Sequence, residues 1–190
     1  MSPRAGLSQD AVVDLALAVI DEDGMAGLTL AKVADRAGVA PPSLYKHVDG
    51  LPALKRLAHI RVLNEMNEVL RTAVLGRSGG EGVSALLDAY RGYLRRYPHR
   101  TPALEIPMDV TDGDVVKALQ STAETAFAAL REYGFDSDQT VHATRVLRAA
   151  AHGFAGLEAA GGFGLPQQLD ASFEVLKSML IHGLSAYARE

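Results

Sequence analysis

Four side chains with hydrogen-bonding or charged groups lie close together in a short stretch of the N-terminal third. They are a hydroxyl, a phenol, an ammonium and an imidazole, at Ser43, Tyr45, Lys46 and His47. Such groups bind phosphate oxygens and the edges of bases when one helix presents them together. The pattern alone leaves an alternative of about equal weight, an ordinary solvated face on a small helical pair.

The flanking residues predict that this stretch is the second helix of a helix-turn-helix. Thr29 has the residue type of a helix N-cap, and apolar residues at helical spacing follow it, at Leu30, Val33, Ala34 and Ala37. Gly38 supplies the left-handed residue that often ends a helix. The Pro41–Pro42 pair opens a second helix, where a missing amide costs little, and Leu44 and Val48 form its inward stripe. Two short helices joined by a tight turn are typical of this motif.

The sequence gives little support for catalysis or metal binding. The six histidines are scattered without the i, i+4 spacing of a helical metal site, and the absence of cysteine removes thiolate ligands and nucleophiles. The stretch from residue 76 to 80 fits the letters G-x-S-x-G, but a nucleophile elbow needs a preceding strand and a helix is predicted here. We therefore expect no enzyme activity, no cofactor and no metal ion.

Residues 8–60 resemble the DNA-binding segment of the TetR family of bacterial transcriptional regulators. The resemblance rests on Gly38-Val39, on Ser43-Leu44-Tyr45-Lys46-His47-Val48 and on Ala53-Leu54, at the spacing of the family and without gaps. Two positions depart from the family pattern. Ala40 replaces a residue that is often polar, so the second helix loses a side-chain N-cap. Leu51 replaces a common lysine, and Lys55, one turn further on, is a candidate substitute for its phosphate contact.

The resemblance implies a homodimer that binds a palindromic operator in double-stranded DNA and that a small, largely apolar effector releases. Such a protein is a transcriptional regulator, and we expect a repressor. The residues implied to contact DNA are Thr29, Lys32, Ala40, Pro41, Pro42, Ser43, Tyr45, Lys46 and His47. In this hypothesis the residues nearest the bases are Pro41, Pro42 and Ser43.

The charge balance predicts few phosphate contacts. The chain has a net charge of −4, and residues 1–60 contain six basic and seven acidic residues, a net charge of −1. Nucleic-acid modules are usually basic on their working face. The acidic residues concentrate in the first helix, above all at 21–23, whereas Lys32, Lys46 and Lys55 lie near the second helix of the motif. A modest basic patch of this kind predicts a shallow salt dependence of DNA binding.

The whole chain is predicted to be all-α, with about nine helices in two domains. Residues 1–50 are expected to form the helix-turn-helix domain and residues 51–190 a ligand-binding and dimerisation domain. Helical apolar spacing covers residues 51–75, 81–97, 112–133, 137–157 and 170–187, and residues 99–112 are expected to be irregular or one short helical turn. No apolar run approaches the ~20 residues that span a bilayer, and the N-terminus does not have the pattern of a signal peptide. We expect no membrane association and a cytoplasmic location.

The C-terminal half resembles a TetR subfamily named for a Trp-His-Gly motif. This resemblance rests on Ala151-His152-Gly153-Phe154, on Leu157-Glu158 and on Gly161-Gly162-Phe163-Gly164, with Ala151 in the place of the tryptophan. The segments that enclose the ligand in TetR relatives contribute the candidate effector contacts Met66, Leu70, Tyr90, Leu94, Met108, Phe127 and His152. Each of these residues has simple core packing as its alternative, and for His152 the alternative is a hydrogen bond to a loop carbonyl.

Small residues recur along the next-to-last long helix, at Ala149, Gly153, Gly156 and Ala160. This stripe permits a close approach of helices, so we expect the last two long helices to form the homodimer interface. Two other hypotheses stay open. One is a helical small-molecule-binding protein without DNA binding, which Leu51 and the acidic first helix favour. The other is a regulator whose pocket is filled and takes no ligand.

Overall fold

The computed structural model describes residues 7–105 and 111–189, and within these ranges it contains helices and no strand. The all-α prediction is therefore confirmed. The α-helices are α1 (Gln9–Gly27), α2 (Leu30–Ala37), α3 (Gly50–Val74), α4 (Gly79–Arg96), α5 (Gly113–Leu130), α6 (Ser137–Ala159) and α7 (Leu169–Tyr187). Three short 3₁₀ helices lie between them, at Pro41–Lys46, Pro98–Leu104 and Arg131–Tyr133.

The described residues form two compact units. The first, which we call the head, comprises residues 7–62 and 99–105, and the second, which we call the body, comprises residues 63–98 and 111–189. Helix α3 belongs to the head up to Val62 and to the body from Leu63. The functional boundary at residue 50 stays a prediction. Across both units, no described helix is long and apolar enough to cross a membrane.

Local capping signals set the start of α1 and, as the sequence predicted, both ends of α2. The Ser8 hydroxyl accepts a hydrogen bond from the amide of Ala11 at 3.2 Å, at the start of α1. The Thr29 hydroxyl accepts one from the amide of Lys32 at 3.2 Å, at the start of α2. Gly38 ends α2 in the left-handed conformation, at φ 66°. These signals act over three or four residues, which is why the sequence alone reveals them.

The sequence predicts that the first helix ends at Gly24, because glycine often ends a helix, but α1 continues past it. Gly24 has φ 73° and kinks the helix, and one further turn follows it to Gly27. Leu28 comes directly after this turn and is 1% exposed. Burial of its side chain holds the extra turn in place, a tertiary effect that glycine placement does not encode.

The second helix of the motif is shorter and tighter than the sequence predicted. A helix of about two turns ending at Val48 was expected, whereas the structure has a six-residue 3₁₀ helix, Pro41–Lys46. Ala40 precedes it and provides no side-chain cap. After it, the amide of His47 donates to the carbonyl of Leu44 at 2.8 Å, a bond across three residues. Hydrogen bonds of this kind rarely extend beyond short runs.

The body helices begin at residues close to those predicted, with differences in their caps. Asp112 caps α5 by accepting hydrogen bonds from two amides, at 3.1 and 3.3 Å. Helix α6 begins at Ser137 as expected, but its cap is Asp136, which forms a reciprocal capping box with Gln139. The sequence had not identified this capping residue, although its spacing fits the capping pattern.

An aspartate at position 170 has the residue type of a helix N-cap, and the sequence predicts that it caps the last helix; the structure shows that it does not. Helix α7 begins one residue earlier, at Leu169, after Gln168, whose side chain makes no capping hydrogen bond. The Asp170 carboxylate instead lies 2.7 Å from a guanidinium nitrogen of Arg91. The Asp170 side chain therefore forms a long-range ion pair and does not cap the helix.

Two glycines with opposite backbone requirements test these assignments. Gly38→Ala places a Cβ in the left-handed region and should cost about 1–2 kcal/mol of stability. Gly92 lies inside α4, where an added Cβ meets open space, so Gly92→Ala should stabilise the protein by about 0.8–1 kcal/mol. Urea unfolding followed by circular dichroism measures both changes. A destabilised Gly92→Ala or an unaffected Gly38→Ala would contradict the described backbone.

Candidate nucleic-acid interface

The 3₁₀ helix Pro41–Lys46 is held from beneath by two apolar side chains. Leu44 is completely buried and Val48 is 3% exposed, which confirms the inward stripe predicted for them. Helix α2 packs against both α1 and this 3₁₀ helix, and its residues Val33 and Ala34 are buried in the same head. Because so short a helix has no stability of its own in water, this packing decides which side chains face outward.

The side chains on the outside of the head include all the predicted DNA contacts. Tyr45 is the most prominent, at 60% exposed. Ser43 and His47 are half-buried beside it. The other predicted contacts are exposed as well, and they are Thr29, Lys32, Ala40, Pro41, Pro42 and Lys46. The head therefore presents these residues to solvent on a folded support.

A contact that the sequence did not reveal ties the start of α1 to the end of the 3₁₀ helix. The side-chain amide of Gln9 donates a hydrogen bond to the backbone carbonyl of His47 at 3.0 Å. Carbonyls at helix ends lack partners within the helix, and this bond satisfies one of them. The partners are 38 residues apart, so no local pattern could have indicated the pair.

The basic side chains of the head differ in whether an acid neutralises them. The Lys32 ammonium lies 2.9 Å from the Asp23 carboxylate, and Arg36 pairs with Glu22. Both acids belong to the C-terminal part of α1. Over residues 7–105 and 111–189, no ion pair involves the two other lysines of the predicted basic patch, Lys46 and Lys55. Whether Lys55 replaces the phosphate contact missing at Leu51 stays a prediction.

Residues 99–105 complete the head from a distant part of the sequence. The sequence left this stretch as irregular or one short turn, and it contains most of the 3₁₀ helix Pro98–Leu104. The Arg100 guanidinium donates two hydrogen bonds to the Asp21 carboxylate, both at 2.7 Å. The buried ring of His59 in α3 is hydrogen-bonded to the carbonyl of Ala103. These contacts anchor residues 99–105 on α1 and α3.

Two of the predicted effector contacts meet in the body. The Tyr90 hydroxyl in α4 is hydrogen-bonded to the Nδ1 atom of His152 in α6 at 2.9 Å. The two rings are arranged edge to face, with centroids 6.3 Å apart. Both side chains are half-buried. His152 is therefore hydrogen-bonded to a side chain. The alternative stated for it from the sequence was a hydrogen bond to a loop carbonyl.

Three other predicted effector contacts lie in the packed core of the body. Met66, Leu70 and Leu94 are at most 3% exposed. Beside them the sequence missed a polar cluster, in which Asn67 of α3 donates to Ser121 at 2.7 Å and accepts from Thr125 of α5 at 2.9 Å. The cluster unites side chains from two helices, and no spacing rule within one helix could have indicated it.

Phe127 is separated from the other candidate contacts. It is 37% exposed and lines an open cleft of about 600 Å³ at the junction of α5 and α6. The lining is mainly apolar with a few polar side chains: Phe127, Ala128, Leu130, Arg131, Phe135, Asp136, Ser137, Thr140 and Val141. Met108, the last of the predicted contacts, lies outside the described residues.

A buried cation joins three helices of the body. Arg91 of α4 is 6% exposed and donates two hydrogen bonds to Glu158 of α6, both at 2.7 Å. Its guanidinium carbon lies 4.6 Å from the ring centroid of Phe173 in α7. The hydrogen bonds to Glu158 raise the pKa of Arg91 above its ordinary value, with Asp170 contributing to the shift. A group so fully paired is structural, and its charge persists at any ordinary pH.

The geometry defines a helix-turn-helix head joined through α3 to an all-helical body, which is the architecture of a class of DNA-binding transcriptional regulators. Comparison with known families identifies the particular one. Residues 12–47 match the family described as "Bacterial regulatory proteins, tetR family", and residues 83–180 match "Tetracyclin repressor-like, C-terminal domain". The chain belongs to the TetR family. The Trp-His-Gly subfamily stays a prediction.

Curated relatives have the same class of function in their names. The HTH-type transcriptional regulator YobS of Bacillus subtilis is 31% identical over 97% of this chain and 96% of its own. An HTH-type transcriptional regulator of Mycobacterium tuberculosis is 34% identical over 83% of this chain and 72% of its own. These similarities extend over both the head and the body, so the regulator class applies to the whole chain.

Solved structures confirm the fold. A Rhodococcus protein of unknown function has a TM-score of 0.82 at 21% identity, covering 97% of this chain and all of that one. A TetR variant from Acinetobacter baumannii in complex with minocycline has a TM-score of 0.74 at 24% identity, covering 96% and 98%. ActR of Streptomyces coelicolor, in complex with (S)-DNPA, has a TM-score of 0.70 at 20% identity, covering 97% and 100%.

Neighbouring residues of the 3₁₀ helix should respond to truncation in opposite ways. Leu44→Ala removes a fully buried side chain and should cost about 2–5 kcal/mol of stability. Tyr45→Ala removes an exposed one and should change stability by less than about 0.5 kcal/mol. Thermal unfolding of both variants measures the difference. Equal losses would contradict the anchoring of this helix through Leu44.

Proposed function

We propose that this chain is a homodimeric transcriptional repressor that binds a palindromic operator through its head and is released by a small, largely apolar effector bound in its body. The observation that carries the proposal is the exposed 3₁₀ helix Pro41–Lys46 on its buried Leu44 anchor, in a chain of the TetR family. A bare, rigidly supported helix of this kind is what entry into a major groove requires.

The exposed residues divide into two groups by the DNA atoms they suit. Pro41, Pro42 and Ser43 open the 3₁₀ helix, and the N-terminal residues of a recognition helix are those that contact base edges. The other group has donors suited to phosphate oxygens, and it comprises Thr29, Tyr45, Lys46 and His47. Two such helices in a dimer read half-sites about 34–36 Å apart on a palindromic operator.

Exposed apolar residues on α6 and α7 support the homodimer. Val146 and Leu157 of α6 and Val175 and Met179 of α7 are between 51% and 69% exposed in the single chain. Helix α6 also carries the small-residue stripe, and an added Cβ at Gly153 meets no atom within 4 Å. Apolar surface that remains open on two adjacent helices suits a second copy of the same pair.

Two places in the body suit an effector. The half-buried Tyr90–His152 pair places one hydroxyl beside one imidazole, polar groups of the kind that fix the orientation of a ligand in a small-molecule site. The cleft lined by Phe127 offers mainly apolar surface. Two solved proteins of this fold are in complex with minocycline and with (S)-DNPA, which makes a small organic molecule the first class to test here.

Operator binding can be tested without knowing the operator in advance. Rounds of selection from a random duplex pool, followed by sequencing, should yield a palindrome whose half-sites lie about one helical turn apart. The double variant Tyr45→Ala with Lys46→Ala should bind the selected duplex at least about tenfold more weakly, because one hydrogen bond to a charged group contributes about 1.5–3 kcal/mol. Gel shift measures the affinities, and thermal unfolding confirms that the variant is folded.

A matched control distinguishes DNA contact from a general loss of positive charge. Lys117→Ala in α5 of the body removes an exposed lysine and should leave the operator affinity unchanged. No enriched palindrome, or equal binding by wild type and the Tyr45/Lys46 variant, would contradict the proposal. Micromolar affinity for a small molecule together with no DNA binding at low salt would favour the alternative, a helical small-molecule-binding protein.

An effector should raise the stability of the folded protein and lower its DNA affinity together. A compound present at 100 times its Kd adds about 2.7 kcal/mol to the free energy of unfolding, which a thermal-shift panel of small organic molecules detects. Tyr90→Phe keeps the ring and removes the hydroxyl that meets His152, so it should weaken a compound bound at this pair. Phe127→Ala serves as the comparison for a compound bound in the cleft. A hit that stabilises the protein without loosening the operator complex would contradict the effector role.

A further inference from the structure

Three consecutive acidic residues of α1 each take a different basic partner. The pairs are Asp21 with Arg100, Glu22 with Arg36, and Asp23 with Lys32. The first pair differs from the others because the Arg100 side chain is only 6% exposed, so it is a structural contact of the head. The other two pairs lie at the surface and connect α1 to α2, the first helix of the helix-turn-helix.

The pair between Asp23 and Lys32 depends on a close approach at Gly27. A Cβ added to Gly27 would lie 2.5 Å from the Cβ of Asp23 and 3.6 Å from the Lys32 ammonium. The glycine therefore leaves the space in which the two side chains meet. They remain 44% and 49% exposed, so solvent and any approaching anion reach both of them.

The pairing changes the charge that α2 presents to DNA. An ammonium with a carboxylate 2.9 Å away acts as a dipole, whose field decays much faster with distance than that of a single charge. A phosphate has to displace the carboxylate before Lys32 can replace one of the counterions of the DNA. The same holds for Arg36 beside Glu22, where the side chains are 34% and 59% exposed.

We propose that Asp23 and Glu22 set the DNA affinity of the head by masking Lys32 and Arg36 from the phosphate backbone. The proposal rests on the DNA binding in the proposed function, and it is independent of the effector and of the repressor role. While both cations are masked, phosphate attraction depends on Lys46 and Lys55, and contacts to bases supply a larger share of the binding free energy.

The test compares two double variants of the full-length chain that change the net charge equally. Glu22→Gln with Asp23→Asn removes the two masking carboxylates. Glu124→Gln with Asp138→Asn, the control, removes two exposed carboxylates of the body, in α5 and α6. Fluorescence anisotropy measures the affinity of each protein for the selected operator and for a scrambled duplex of equal length, between 50 and 200 mM salt.

Unmasking should steepen the salt dependence. Each added phosphate contact changes the slope of log K against log salt by about −0.9. Two heads bind the operator, so between 50 and 200 mM salt the Glu22/Asp23 variant should lose roughly 150-fold more affinity than wild type if both cations of each head are unmasked, or roughly 12-fold more if one cation of each head is. The increment should be the same on both duplexes, because phosphates carry no sequence information. The control should keep the wild-type slope.

A cycle with Lys32→Gln assigns the effect to one pair. Asp23→Asn should steepen the slope in the wild-type background and have no effect in the Lys32→Gln background. Equal steepening in both backgrounds, or in the Glu124/Asp138 control, would overturn the masking of this cation. If the wild type binds the operator and the variants have the same salt slope as the wild type, the masking proposal is overturned and the proposed function stands. If neither wild type nor variant binds any duplex at 50 mM salt, both proposals are overturned.

Discussion

The structure of the head depends on the burial of one leucine. The 3₁₀ helix Pro41–Lys46 is too short to be stable in water, and Ala40 gives it no side-chain cap. Its position therefore comes from Leu44, which is completely buried against neighbouring helices, an interaction that contributes about 1.5–3 kcal/mol. Because Tyr45 follows Leu44 directly, the same packing turns the phenol outward. The surface offered to DNA is thus a consequence of the core beneath it.

The net charge of −1 over residues 1–60 does not describe the charge that the surface of the head presents to DNA. Acids and bases of the head are paired over short distances, and a neutralised pair contributes little beyond a Debye length of about 10 Å. The relevant quantity is the set of cations without an acidic partner, and Lys46 and Lys55 belong to it among the described residues. An acidic head and DNA binding are therefore compatible, provided that direct contacts replace long-range attraction.

What the sequence could predict depended on how far apart the interacting residues are. Thr29 and Gly38 have local roles, and the structure shows both of them as predicted. The bonds from Gln9 to His47 and from Asn67 to Ser121 join residues 38 and 54 positions apart, where no periodicity applies. Asp170, Gly24 and the 3₁₀ geometry of Pro41–Lys46 show the converse, because tertiary contacts or a missing cap changed what the local pattern indicated. The chemical groups of Ser43, Tyr45, Lys46 and His47 left DNA binding and a solvated face about equally open, and the resemblance to a family supplied the full set of predicted DNA contacts.

Helix α3 carries one buried polar side chain in each of the two units, and each is hydrogen-bonded to a distant part of the sequence. In the head, His59 is bound to the carbonyl of Ala103, and in the body, Asn67 is bound to Ser121 and Thr125 of α5. Separating the side chain of His59 or Asn67 from its partners leaves buried polar groups without hydrogen bonds, at a cost of about 1–3 kcal/mol. A movement of α5 is therefore opposed unless α3 follows it. The polar cluster therefore ties α3 to α5 within the body, as the bond of His59 ties α3 to residues 99–105 within the head.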